Sequence, residues 1–198
     1  MKKIYNILLI IFLISIIIVG IMIFFKYYNN HKNEVNLANT ILKIEKDLEK
    51  FSENDSNIEN KKIQETYEGY NIDGILEIPS IGIKYPIIDE TNNQTMKLSI
   101  TKFWGPKLNE IGNYSIAGHN NLDGTMFGKT KKLKINDIII ITDLEKNRTI
   151  NYKIFKIYSV DPNDVSIVES VNSGKREITL ITCTNGRRQR LITKAIEI

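Results

Sequence analysis

Cysteine is almost absent from this sequence: Cys183 is the only one in 198 residues. No intrachain disulfide can form, and no cysteine-rich zinc or iron–sulfur site can be built. Histidine is nearly as scarce, with His31 and His119 alone. One cysteine and one domain histidine do not make a four-ligand zinc site without two carboxylates, which no motif supplies, so no metal is expected. Proline (4) and glycine (11) are too few for collagen-like or mucin-like chains, and a hydrophobic share of 42% excludes a wholly disordered one. At about 150 residues per domain, the length holds one compact domain and an appendage. The basic excess is also thinner than the net charge of +4 suggests. Lys2, Lys3 and Lys26 flank the first apolar run, and setting them aside leaves 24 basic residues against 23 acidic. A phosphate-tracking surface is not expected, and neither is a nucleic-acid partner.

What the chain does have is a long uncharged run. Residues 7–25 are rich in Ile, Leu and Phe and carry no charge. As a helix they span roughly 28 Å, close to the ~30 Å hydrocarbon core of a bilayer. A cleaved signal peptide has a shorter apolar core, about 7–15 residues, and a small-residue cleavage site. Here Phe24-Phe25-Lys26-Tyr27-Tyr28 follows, so a retained membrane anchor is predicted. Lys2, Lys3 and the α-amino group face Lys26 and Lys32 across the span. A short cytoplasmic tail with the C-terminal domain outside the cell is the expected arrangement.

After the anchor, Val35, Leu37, Ala38, Ile41, Leu42, Ile44, Leu48 and Phe51 recur largely at helical spacing among Lys and Glu, which predicts an amphipathic helix. Its mixed-sign polar face favours packing on the domain or a stalk over lying on a membrane surface. Residues 52–62 have almost no apolar content and read as a linker. The expected organisation is therefore a tail and anchor over 1–26, an amphipathic helix and linker over 27–66, and a folded domain over 67–198. That domain reads as all-β. Runs at 74–81, 83–88, 114–118, 138–142, 149–160, 177–183 and 191–198 are dominated by Ile, Val, Tyr and Thr and separated by turn residues. Seven or eight short strands suggest a closed barrel or a sandwich. Residues 94–103 and 126–133 carry enough helix formers for short helices or 3₁₀ turns.

Three residues stand out chemically. Cys183 ends the alternating strand Glu177-Ile178-Thr179-Leu180-Ile181-Thr182-Cys183. A free cysteine is most often a small buried hydrophobe. A place at a strand-to-loop edge beside Arg187, Arg188 and Arg190 favours a thiolate instead. His119 ends Tyr114-Ser115-Ile116-Ala117-Gly118-His119, again where a strand enters a polar loop. Its ordinary reading is a solvated or hydrogen-bonded structural group. If the two strand ends meet in one barrel, the imidazole can serve as the acid and base that cysteine acyl transfer requires. Arg190 begins the last strand, and pairing of that strand with the one ending at Cys183 brings guanidinium and sulfur together. Arg190 also reads as an ordinary surface arginine beside Arg187 and Arg188.

The order Ala117-Gly118-His119, then Thr179-Leu180-Ile181-Thr182-Cys183, then Arg190 resembles the signature of the sortase family, a TLxTC motif with an upstream His and a downstream Arg. The similarity runs from about residue 74 to the C-terminus and includes Gly74-Ile75-Leu76-Glu77-Ile78-Pro79 and Tyr85-Pro86. It implies an all-β fold, a closed eight-stranded β-barrel with short helices, preceded by a transmembrane helix and a helical or disordered stalk. It implies a membrane-anchored cysteine transpeptidase on the outer face of a Gram-positive cell, working without a cofactor. Such an enzyme cuts an LPxTG-like sorting signal at the C-terminal end of a surface protein between Thr and Gly, and joins the protein to a cell-wall peptidoglycan precursor amine or a pilin lysine. By the resemblance Cys183 is the nucleophile, His119 the acid and base, and Arg190 the oxyanion or substrate-orienting group. Ala117, Ile181 and Thr182 are expected near the sorting-signal groove. Arg187 and Arg188 compete with Arg190, which alone directly precedes the apolar strand, as the family's Arg does. The N-terminal anchor, the 16 residues of 161–176 and the short loop before Arg190 fit a class D-like sortase best, with a class A-like one close behind. A hydrolytic cysteine peptidase and a non-catalytic membrane-anchored binding barrel are the alternative readings.

Overall fold

The computed structural model describes residues 2–53, 64–170 and 174–198. Chain contacts divide it into two compact units, Met1–Asn39 and Thr40–Ile198.

The first unit lies in α1 (Lys2–Glu53), a helix of 52 residues. The apolar run and the amphipathic segment, read separately from the sequence, form one helix because Lys26-Tyr27-Tyr28-Asn29-Asn30-His31-Lys32-Asn33-Glu34 between them contains no Pro or Gly to stop it. Its N-terminal part is long and apolar enough to cross a membrane, and the side chains of 3–32 are exposed.

The second unit opens with the last turns of α1. Ile41 and Ile44, three apart on one helix face, are buried. Lys43 pairs with Glu65 at 2.7 Å, and Glu45 pairs at 2.5 Å with Lys84, which also meets Glu77 at 2.9 Å. Exposed pairs of this kind are worth ~0–1 kcal/mol each, whereas burying an isoleucine is worth about 1.5–3 kcal/mol. The apolar contact therefore holds these turns in place. The expected linker, 52–62, falls for the most part outside the described residues.

Nine strands follow: β1 (Thr66–Tyr67), β2 (Tyr70–Ile78), β3 (Ile83–Ile88), β4 (Ile100–Trp104), β5 (Gly112–Ala117), β6 (Ile138–Asp143), β7 (Arg148–Val160), β8 (Arg176–Thr184) and β9 (Gln189–Glu197). They pair in the order β1-β2-β3-β4-β5-β8-β9-β7-β6, and β6 pairs back onto β2. β2 to β9 thus close an eight-stranded barrel, and β1 is a two-residue ribbon on β2. Closure leaves no long edge to aggregate. Ile116, Ile178, Leu180 and Ala195 are buried on one face of β5, β8 and β9, together with Tyr114, whose hydroxyl donates to Asp73 at 2.6 Å. β8 is buried along both faces from Glu177 to Thr182. One face belongs to the core and the other lies beneath the β7–β8 connection.

Two local readings are corrected. Residues 94–103 hold only a four-residue helix, α2 (Thr95–Leu98), and then β4. β4 is inserted between a parallel partner, Ile87↔Ile100, and an antiparallel one, Thr101↔Ala117. The helix formers Met96, Lys97 and Leu98 do form the helix, and pairing with two strands distant in sequence draws Ile100–Trp104 into the sheet. The first expected strand stops at Ile78, because Pro79 has no N–H for the ladder and starts a 3₁₀ turn, Pro79–Ile81, that ends on left-handed Gly82 (φ +59°).

Candidate active site

The site grows from the parallel pair β5 and β8, whose register puts Ala117 beside Ile181. Past that pair, the Gly118 N–H donates to the Ile181 carbonyl at 3.1 Å, and the Thr182 hydroxyl donates to the Gly118 carbonyl at 2.7 Å. His119 and Cys183 each lie two residues beyond the paired residues. Strand alternation puts Cys183 on the Ile181 face of β8, and His119 follows the end of the neighbouring β5 at the same level. The backbone at Gly118 is crowded: a Cβ there would stand 2.6 Å from Phe127 Cδ2 and 2.9 Å from Ile100 Cγ2. Only glycine fits before His119.

The third group arrives by a hairpin. β8 and β9 are joined through the 3₁₀ turn Asn185–Arg187, in which all three residues have positive φ. Cys183 and Arg190 are direct cross-strand partners, so their side chains leave the sheet on one face with Cα atoms about 4.5–5.5 Å apart. The Arg190 guanidinium makes only long contacts, 3.3 Å to the Arg187 carbonyl and 3.4 Å to the Gln189 carbonyl. It forms no ion pair with any described carboxylate. Arg187 and Arg188 are exposed on the turn.

Asn120 ties the histidine loop to the cysteine strand: its side-chain amide donates to the Cys183 carbonyl at 2.8 Å. The loop closes on itself through the Asn120↔Met126 bridge and the Phe127 N–H to His119 carbonyl bond of 3.0 Å. The structure thus brings together Cys183, which is half-buried, His119 and Arg190. Desolvation by its surroundings, and then the Arg187 cation, hold the His119 pKa below the ordinary 6.5. The imidazole is therefore neutral at neutral pH and able to accept a proton.

Ala117, Ile181 and Cys183 share a face that leads away from the thiol. Ile167, Ile181 and Ile192 form a buried cluster there, with Tyr158, Val160 and Val168 packed against it. Thr182 faces the other way, where its hydroxyl holds the Gly118 carbonyl. Residues that sequence reasoning passed over shape this surface. Thr179 donates to Asn113 Oδ1 at 2.8 Å, and the Asn113 amide in turn reaches the Val168 carbonyl at 3.0 Å. Lys194 is buried, and its ammonium donates to the Glu169 carbonyl at 2.7 Å. These bonds pin the 3₁₀ turn Ser166–Val168 over the face. Ser115, two residues before Ala117, is fully buried and its hydroxyl has no partner among the described residues. The two threonines of the TLxTC pattern thus have separate tasks: one holds the wall and the other holds the histidine strand.

A half-buried thiol, an imidazole and a guanidinium at one end of a closed barrel define a cysteine acyl-transfer enzyme. A family profile described as the sortase domain matches residues 76–198, and the chain belongs to the sortase family of cysteine transpeptidases. It is 26% identical to sortase A of Listeria monocytogenes over 191 residues, which cover 86% of this chain and 82% of that one. It is 30% identical to sortase D of Bacillus subtilis over 111 residues, covering 56% and 53% of the two chains. Among solved structures, a Clostridium perfringens sortase D5 transpeptidase superposes with a TM-score of 0.62 at 27% identity, covering 84% of this chain and 98% of that one.

Proposed function

We propose that the protein is a membrane-anchored sortase that cleaves an LPxTG-like sorting signal between Thr and Gly and joins the surface protein to a cell-wall or pilin amine. The anchor is the apolar N-terminal part of α1, and the barrel stands on the outer face of the membrane. The observation that carries the reading is the direct pairing of Cys183 with Arg190, together with the Asn120 bond that fastens the His119 loop to the Cys183 carbonyl.

In this reading the neutral His119 takes the Cys183 thiol proton as sulfur attacks the Thr carbonyl carbon. Negative charge gathers on the carbonyl oxygen, and Arg190 supplies donors to it. Collapse breaks the Thr–Gly C–N bond, and the leaving amine takes the proton from His119. The signal is now a thioester on Cys183. An incoming amine attacks that carbonyl, His119 removes its proton, and sulfur leaves and is reprotonated. Ala117 and Ile181 form the floor beside the thiol on which the signal lies, next to the wall of Ile167 and Val168. Thr182 serves the groove from behind by fixing Gly118.

The test is a fluorogenic peptide containing the sorting signal, incubated with the full chain in detergent with and without triglycine. A cleaved product that shifts to the triglycine conjugate supports the reading. Hydrolysis that triglycine never diverts makes the protein a peptidase, and no cleavage with any LPxTG-like peptide returns it to a binding barrel.

A further inference from the structure

We infer that Lys194 is a positioning residue for the sorting signal: by holding the main chain at Glu169 it sets the wall of the groove, and with it how tightly the signal binds. The inference rests on the transpeptidase reading above and adds to it a residue that governs the affinity of the first substrate.

The observation is a buried ammonium where an apolar side chain would fill the space at less cost. Lys194 is 2% exposed, and taking a lysine out of water costs free energy that packing alone does not require. It stands in the middle of β9 as the cross-strand partner of Thr179, and Asn113 of β5 is likewise level with Glu177 of β8. Register and alternation therefore put Asn113, Glu177, Thr179 and Lys194 on one face, the face that carries Ile181 and Cys183. The alternate residues Ile178, Leu180 and Ala195 fill the barrel core, so Lys194 is not a core residue.

The β7–β8 connection covers this face, and three strands hold three successive residues of it. Asn113 donates to the Val168 carbonyl at 3.0 Å, Lys194 donates to the Glu169 carbonyl at 2.7 Å, and Glu177 accepts from the Ser170 hydroxyl at 3.0 Å. Lys194 supplies the charged donor and the shortest bond of the three. Glu177 favours its ammonium, and Lys156, its cross-strand partner on β7, opposes it. The earlier limb of the connection has no such hold: the bonds of Asp161, Asn163, Asp164 and Ser166 run within the connection itself. The wall is therefore placed from its 168–170 side. Ile167, at the head of that anchored stretch, packs on Ile181 and Ile192. Thr179 lies four residues before Cys183, roughly 13 Å along the strand. Lys194 thus acts through the wall and not on the reacting atoms.

The experiment uses the full chain in neutral detergent with a fluorogenic sorting peptide and triglycine, and peptide affinity is measured separately by fluorescence anisotropy in the Cys183→Ala background. Lys194→Met keeps the length of the side chain and loses the charge. Its KM and peptide Kd should each rise about tenfold, the worth of one lost hydrogen bond from a charged group. Its kcat should stay within twofold of wild type, and Cys183 should be alkylated by iodoacetamide at the wild-type rate. Lys156→Gln, at the exposed neighbour, should change none of these. Unchanged KM and Kd in Lys194→Met overturn the inference, and so does a loss that falls on kcat instead. Should Lys194→Met be unfolded by circular dichroism, Lys194→Met/Glu177→Gln removes both buried charges while keeping an acceptor for Ser170, and should show the same rise in KM. A wild-type KM in that double variant, or its failure to fold, assigns Lys194 to the fold alone and overturns the inference. A wild type that cleaves no sorting peptide overturns the transpeptidase reading itself.

Discussion

Replacing Gly118 with alanine adds a single methyl, and the structure says where it goes. The new Cβ would stand 2.6 Å and 3.0 Å from two carbons of the Phe127 ring and 2.9 Å from Ile100 Cγ2. Carbon atoms pack at about 3.5–4.0 Å, so something must move by roughly 1 Å. Phe127 and Ile100 are fully buried and have no open side to retreat into. Phe127 is also fastened to the His119 carbonyl, and Gly118 to Thr182 and Ile181. The movement therefore passes to the His119 loop. Overpacking of this kind costs about 1–3 kcal/mol of stability, and a displacement near 1 Å at a catalytic group costs on the order of 10²-fold in rate. Gly118→Ala should remain folded, keep Cys183 open to alkylation, and lose about 10²-fold in kcat on a sorting peptide. Gly69→Ala is the control: Gly69 has φ +84° with open space around it, so that variant carries backbone strain of about 1–2 kcal/mol and no loss of kcat. A Gly118→Ala enzyme within twofold of wild type would refute the view that packing at this glycine sets the histidine.

Three further outcomes are expected. Arg187→Ala removes a cation that holds the His119 pKa down; the pKa then rises, and the acidic limb of the kcat/KM profile, where the base is lost to protonation, should move to higher pH. Arg190→Lys keeps the charge and loses the planar fork, so kcat/KM should fall about 10²–10³-fold, while Arg188→Ala stays within about tenfold; the reverse result would move the oxyanion role to the turn. Burial raises the Asp73 pKa above the ordinary 3.8 even with the Tyr114 hydroxyl bound to it. The folded state thus holds that proton more tightly than the unfolded one, and stability from this group is lost as pH rises through its folded pKa. Asp73→Asn should therefore raise Tm at neutral pH, with the gain shrinking toward pH 3.8.

The hairpin of β8 and β9 was legible because its loop is short, and a short antiparallel connection fixes which residues meet. That is how Arg190 is placed against Cys183. The approach of His119 to Cys183 had no local signal. It depends on β5 pairing in parallel with β8, and Ala117 and Ile181 are joined only by the closed barrel. β4 was hidden for a related reason, since its five residues follow helix formers and take their strand form from β3 and β5. Asn113 and Lys194 were unreadable as wall supports, because their partners are backbone carbonyls of a connection whose course no side-chain pattern encodes. The separate tasks of Thr179 and Thr182 follow from strand alternation once the register is known.

The central claim is that Cys183 carries the acyl group between donor and acceptor. Intact-mass measurement of the full chain, mixed with a sorting peptide and quenched early, tests it directly. The wild type should gain one mass equal to the peptide up to its threonine, and the adduct should disappear when triglycine is added as the conjugate forms. Cys183→Ala, folded by circular dichroism, should show neither adduct nor conjugate. A Cys183→Ala protein that still forms the conjugate, or a wild type whose adduct maps to another residue, would contradict the account.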